Sequence, residues 1–238
     1  MLEILEIPKD VTKSFTCIPE TMARLNIWGN GSCFFHSIAI LLVVQNQVVD
    51  NVIRYTLQFP PGHHLESDYL TIEVPKTSEE AFYKYFEKVG LALRNVVCDS
   101  LSEEYFKKFE QESFSTDLKE QIDSTNWMEL KGGLKSPHKW ADIWSIKYTA
   151  WLLNLNILFI NGSDPQHPLF CGVENFNKSP WTLFVYWVGR VHFEPIVQVN
   201  GSIVERRIFP TDHEWIQCIQ KEYESGQGIN GCSIKLTN

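Results

Sequence analysis

The chain has 238 residues, with 21 Lys and Arg against 29 Asp and Glu for a net charge of −8, and six singly spaced cysteines. That length supports one domain whose core needs no disulfide staples, and 44% hydrophobic with 21% charged residues is ordinary globular composition. The acidic balance argues against a nucleic-acid backbone binder, which needs a Lys/Arg surplus. The longest apolar run, Ile38 to Val44, falls far short of the roughly 20 residues that span a bilayer.

Met1 to Glu6 lacks the basic start and apolar stretch of a secretory signal, so a cytoplasmic location is expected. The Asn-x-Ser triplets at Asn30, Asn161, Asn177 and Asn200 then read as turn chemistry. Cysteines at 17, 33, 98, 171, 218 and 232 form no CxxC pair, and His63-His64 has no third ligand at metal spacing, so no metal or cofactor is expected. In a reducing compartment the question becomes which thiol reacts.

Helix signals dominate the first two thirds. Phe34 to Leu42 is apolar almost all round and reads as a buried helix. Val48 to Phe59 continues as a second helix, stopped by Pro60-Pro61-Gly62. Thr77-x-x-Glu80 and Ser100-x-x-Glu103 resemble capping boxes that open helices near 78–97 and 101–113, with core stripes at Phe82, Tyr85, Phe86, Tyr105 and Phe109. Leu130-Lys131-Gly132-Gly133 reads as a loop, and a further helix runs from Lys139 to Asn154. Asn156 to Ile160 and Trp181 to Val188 read as strands, and Val191 to Phe209 as a hairpin about Asn200-Gly201. Trp181 and Trp187 are candidates for a partly exposed protein interface. Thr211 to Glu224 reads as a terminal helix. Helices followed by a late, mostly antiparallel sheet give an α+β class and one domain over 1–225, with its motif-bearing core at about 26–200 and a flexible tail over 226–238.

The informative segment is Trp28 to Ile38, where a Gly/Asn/Ser turn delivers Cys33 to the first turn of an apolar helix. A helix N-terminus favours thiolate over thiol, and its amides can stabilise an oxyanion. His192 follows 159 residues later at the start of a strand, the separation expected of a Cys/His enzyme whose base and nucleophile meet only in the fold. His36, one turn after Cys33, is expected to pack or to line a substrate rim rather than act as base.

Asn30-Gly31-Ser32-Cys33-Phe34-Phe35, Trp140-x-Asp142 and His192-Phe193 together resemble, in order, the motifs of the ovarian-tumour (OTU) family of cysteine proteases. The resemblance implies a single papain-like domain with its sheet packed between helices. It also implies a monomeric deubiquitinase acting on ubiquitin or ubiquitin-like conjugates, with no nucleic-acid or membrane partner. Cys33 is then nucleophile and His192 base. Glu194 or Asn30 orients the imidazole, and Gly31, Ser32 and Phe193 line the oxyanion and substrate site. Asn30 and Ser32 replace the family's usual Asp and Asn. Those departures, with Glu194 after His192-Phe193, look closest to viral or mobile-element members, which would act in a host cytoplasm. The Asn30 and Ser32 departures also motivate an alternative, an OTU-like module that binds without cleaving; a third possibility is another Cys/His acyl-transfer enzyme on a papain-like core.

Overall fold

A computed structural model describes residues 3–9, 21–27, 29–76, 82–113, 127–162, 170–171, 179–188 and 192–222. Its main sheet holds β1 (Ile4–Glu6), β2 (Met22–Leu25), β6 (Asn156–Asn161), β7 (Phe170–Cys171), β8 (Trp181–Val188), β9 (His192–Asn200), β10 (Ile203–Arg206) and β11 (Phe209–Pro210). The strands run β1-β2-β9-β8-β6-β7, with β10 added to β9 and β11 to β8. The β6–β8 pair is parallel, and β2, β8 and β10 each pair with β9 in antiparallel fashion. A second, three-stranded antiparallel sheet contains β3 (Val43–Val49), β4 (Val52–Gln58) and β5 (Tyr69–Pro75).

One face of the main sheet packs on α1 (Cys33–Leu42), every residue of which is buried. An all-round apolar helix has no solvent face to present, so the chain places it at the centre. Behind it lie α2 (Phe82–Ser100), α3 (Glu103–Ser113), α4 (Trp127–Lys135) and α5 (Ile143–Leu152). Tyr85, Phe86 and Phe109 are buried in this layer and Tyr105 is half-buried, as their helical spacing predicts. The opposite face carries Met22, Phe184, Ile196 and Phe209, which cluster with Ile7 and with Ile216 of α6 (Glu214–Glu222). The architecture is therefore α+β, with the main sheet covered on both faces.

Several sequence expectations need correction. Val48–Phe59 is not a helix: it contains the β3–β4 hairpin. Ile53, Tyr55 and Leu57 alternate inward along β4, and Asp50 and Asn51 both adopt positive φ (46° and 63°) in the two-residue turn. A period of two outweighs helix propensity there. The Lys139–Asn154 helix starts only at Ile143, where Asp142 accepts from Ser145 N at 2.8 Å. Leu130-Lys131-Gly132-Gly133 lies inside α4 rather than in a loop. Ser102, not Ser100, caps α3, accepting from Tyr105 N at 3.2 Å. Trp187 is buried, not at an interface, while Trp181 is half-buried. The Thr77–Glu80 capping box and the 226–238 tail lie outside the described residues.

Two helical glycines make opposite predictions. A methyl at Gly90 would collide with the His36 ring and approach the His36 Cα to 2.7 Å, whereas Gly132 has open space around it. Gly90→Ala should cost about 1–3 kcal/mol through overpacking, and Gly132→Ala should add about 0.5–1 kcal/mol of helix stability. Urea denaturation of both variants beside wild type checks the pair.

Candidate active site

Gly29 to Ser32 form the turn that starts α1. Cys33 N–H donates to Asn30 O at 3.0 Å, and Ser32 N–H donates to Asn30 Oδ1 at 2.8 Å. Such side-chain-to-backbone closure is how a short Asn stabilises a tight turn. The Asn30 amide donates to Glu87 Oε1 on α2 at 2.7 Å, so both ends of this side chain are engaged away from His192. Gly31 is a glycine by necessity of contact: a methyl there would meet the His138 backbone, with the Cα at 2.7 Å. Its missing side chain serves loop packing against the His138 backbone.

Behind the turn sits Arg94 of α2, 2% exposed. Its Nε donates to Leu134 O (2.8 Å), and Nη2 donates to Gly133 O and Lys139 O (2.9 Å each). Nη1 reaches Ser32 Oγ (2.8 Å), Gly31 O (3.1 Å) and Pro137 O (3.3 Å). Ser32 Oγ in turn donates to Pro137 O at 2.8 Å. One guanidinium thereby caps the C-terminal carbonyls of α4, holds the 136–139 turn and fixes the residue before Cys33. Its carbon lies 5.1 Å from the centre of the Phe35 ring. Ser32 is fully buried, and its hydroxyl serves this internal network rather than a substrate.

On the other side, Ser37 Oγ lies 2.9 Å from Cys33 O and 3.1 Å from Phe193 O, joining α1 to the start of β9. The Phe193 ring is core, edge-on to Phe34 at 5.7 Å between centroids. Its backbone N–H faces the Cys33 sulfur, so His192, one residue earlier, stands at the N-terminal end of α1. Alternation along β9 puts His192 and Glu194 on one face. Glu194 is buried, with Oε1 3.4 Å from His192 Nε2 and Oε2 2.8 Å from Arg24 Nη1. Arg24 is itself fixed by its Nε bond to Glu6 O at 3.0 Å and lies over the Tyr186 ring at 5.1 Å. The other imidazole nitrogen, Nδ1, is buried without a hydrogen-bond partner among the described residues. It sits where a Cβ on Gly29 would approach it to 3.4 Å.

The structure therefore pairs His192 with Glu194 next to the Phe193 N–H that faces the Cys33 sulfur, and directs Asn30 elsewhere. Arg24 was missed by sequence reasoning, because a lone Arg 170 residues from its partner leaves no local pattern. Arg94 was missed for the same reason. A second correction concerns the thiol. Burial pushes Cys33 up to about 12, against the lowering influence of the Phe193, Phe34 and Cys33 N–H groups and the Arg94 charge. Desolvation outweighs the helix terminus in this closed arrangement. His36 packs internally rather than lining a rim, and burial lowers it to about 4, helped by Arg94 and His192. His63 meets Asp68 at 3.0 Å, and His64 stacks on Trp151 at 4.2 Å between centroids. Cys98 is buried as a free thiol, and Cys218 is disulfide-bonded, which the expectation of a reducing compartment did not foresee.

No protein-family model and no curated protein matches the sequence. Among solved structures, the chain is similar to an ovarian tumour (OTU) domain in complex with ubiquitin. The two are 11% identical, with 87% of this chain and 90% of that one covered and a TM-score of 0.45. It is also similar to the OTUD1 OTU domain (12% identity, 74% and 85% covered, TM-score 0.39). The Hazara virus OTU bound to ubiquitin is a further match (13% identity, 84% and 82% covered, TM-score 0.35).

Arg94→Met should orphan several buried carbonyls at once and destabilise the fold by about 3–5 kcal/mol. Arg94→Lys keeps the charge but not the planar fork, and should recover less than half of that loss in a denaturant titration. Full recovery by lysine would show that charge alone matters.

Proposed function

We propose that the protein is a thiol-dependent deubiquitinase that hydrolyses ubiquitin or ubiquitin-like conjugates. The observation that carries this reading is the line Arg24–Glu194–His192, which ends on an unpartnered ring nitrogen at the end of α1 that bears Cys33. Motif order supports the substrate class: the turn before Cys33, Trp140-x-Asp142 and His192-Phe193 match the OTU pattern in sequence. Asp142 holds its place in the pattern as the cap of α5, and Trp140 stands partly exposed in the segment packed against the nucleophile turn.

In this reading Glu194 accepts from His192 Nε2–H and thereby leaves Nδ1 with its lone pair toward the thiol. Nδ1 takes the Cys33 proton as the sulfur attacks the carbonyl carbon of the Gly–Lys isopeptide bond. The imidazolium returns that proton to the lysine nitrogen as the C–N bond breaks, leaving a thioester on Cys33. Water, deprotonated by His192, then releases the ubiquitin carboxylate and restores the thiol. A thiol held protonated by burial requires this general-base route; it cannot rely on a standing thiolate. The oxyanion calls for main-chain donors, and Asn30 must release Cys33 N–H before that group can serve.

The full burial of Cys33 also favours a second reading, an OTU-like module that binds ubiquitin without cleaving it. Hydrolysis of a di-ubiquitin linkage panel separates the two. Wild type should cleave at least one linkage and Cys33→Ala none. Glu194→Ala should lower kcat/KM by about 10²-fold or more, and Asn30→Ala, which acts through the turn, by about tenfold. Binding of ubiquitin with no cleavage of any linkage supports the module. Cleavage of small peptides but not of conjugates supports a different papain-like enzyme.

A further inference from the structure

We infer that the outer edge of β3 is a two-fold pairing surface for a second copy of this chain. The strand reads Val43-Val44-Gln45-Asn46-Gln47-Val48-Val49, a palindrome about Asn46 that contains no charge and no proline. It stands at one end of the β3-β4-β5 sheet, and no described strand pairs with its far side. All six residues from Val44 to Val49 are exposed, including Val44 at 56%, Val48 at 62% and Val49 at 51%. Edge strands of natural proteins are ordinarily blunted by charge or proline. This one has neither.

Register fixes which backbone groups are on offer. Val49 pairs with Val52 across the two-residue turn, and Gln47 and Gln45 pair with Arg54 and Thr56. Those residues spend their N–H and C=O groups on β4, so the groups of Asn46 and Val48 point outward. Antiparallel pairing of two copies about Asn46 sets Asn46 opposite its symmetry mate. Each Val48 then meets the other copy's Val44, and each Gln45 the other's Gln47. Pairing about this dyad is isologous and closes as a dimer, and the palindrome makes every facing pair alike, Val on Val and Gln on Gln. Its limits are marked as well. The ladder slips at Val44, and Val43 O is already taken by Arg207 Nη1 at 2.6 Å.

The other end of the sheet offers no comparable site. β5 carries Glu73 and Pro75, which oppose strand addition there and hence an open ribbon of sheets. A single seven-residue edge is smaller than a standard interface, so the association is weak and concentration-dependent. This inference is independent of the proposed catalysis, because it uses no residue of the candidate active site.

Sedimentation velocity of the full chain tests it over a concentration range on the order of a hundredfold. Wild type should rise to about twice the monomer mass at the high end. Asn46→Lys, which sets two like charges opposite each other at the dyad, should remain monomeric with an unchanged circular dichroism spectrum. Under mild oxidation, Asn46→Cys should form a covalent dimer, and Ile203→Cys, exposed on β10, should not. A wild type that is monomeric throughout overturns the inference. So does an Asn46→Lys variant that still dimerises, or growth past the dimer into open assemblies.

Discussion

The turn that delivers Cys33 to its helix depends on the buried Arg94 guanidinium. A charge inside a protein costs several kcal/mol unless its surroundings replace water, and here main-chain carbonyls and one hydroxyl do so. The planar fork can aim donors in several directions at fixed angles, which a lysine ammonium cannot. Because those acceptors come from the turn before Cys33, the end of α4 and the 136–139 turn, satisfying one charge welds three separate segments. The glycine at position 31 belongs to the same weld: the His138 backbone occupies the space a side chain would need.

A second fastening meets the first at Cys33. Ser37 ties the first turn of α1 to the start of β9, while the Arg24–Glu194 pair fixes the carboxylate that faces His192. The first anchors Cys33 from the helical layer, the second orients the histidine from the sheet. This rigidity has a chemical consequence. The packing that orders the groups also dries the thiol and pushes it up to about 12. A closed, protonated cysteine is protected from adventitious oxidation, which proceeds through the thiolate.

How much of this could be read from the sequence depended on the range of the signal. The buried helix after Cys33, the strands at Asn156 and Trp181 and the hairpin after His192 carry local periodicity, and they stand close to where that periodicity puts them. Glu194 was a candidate partner of His192 through the family resemblance, with Asn30 as the alternative, and strand alternation puts it on the same face. The β3–β4 hairpin is hard to read from sequence because its Val-rich run continues the apolar stretch of the helix before it, and only Asp50-Asn51 signals the turn that divides it. Arg94 and Arg24 were invisible for another reason. Each acts on partners dozens of residues away or more, and nothing in a single sequence marks a lone arginine as buried. Asn30 shows the opposite failure: its place before the cysteine suggested chemistry, yet an Asx turn and Glu87 absorb it.

The central claim is that Cys33 is the nucleophile of an acyl transfer from ubiquitin. The most direct measurement is peptide mapping by mass spectrometry after exposure to ubiquitin bearing a C-terminal electrophile. The account predicts a single added ubiquitin, attached at the Cys33 sulfur, absent in Cys33→Ala and strongly slowed when Glu194 or His192 is replaced by alanine. An unmodified wild-type chain, or a ubiquitin found on Cys98 instead, would contradict it.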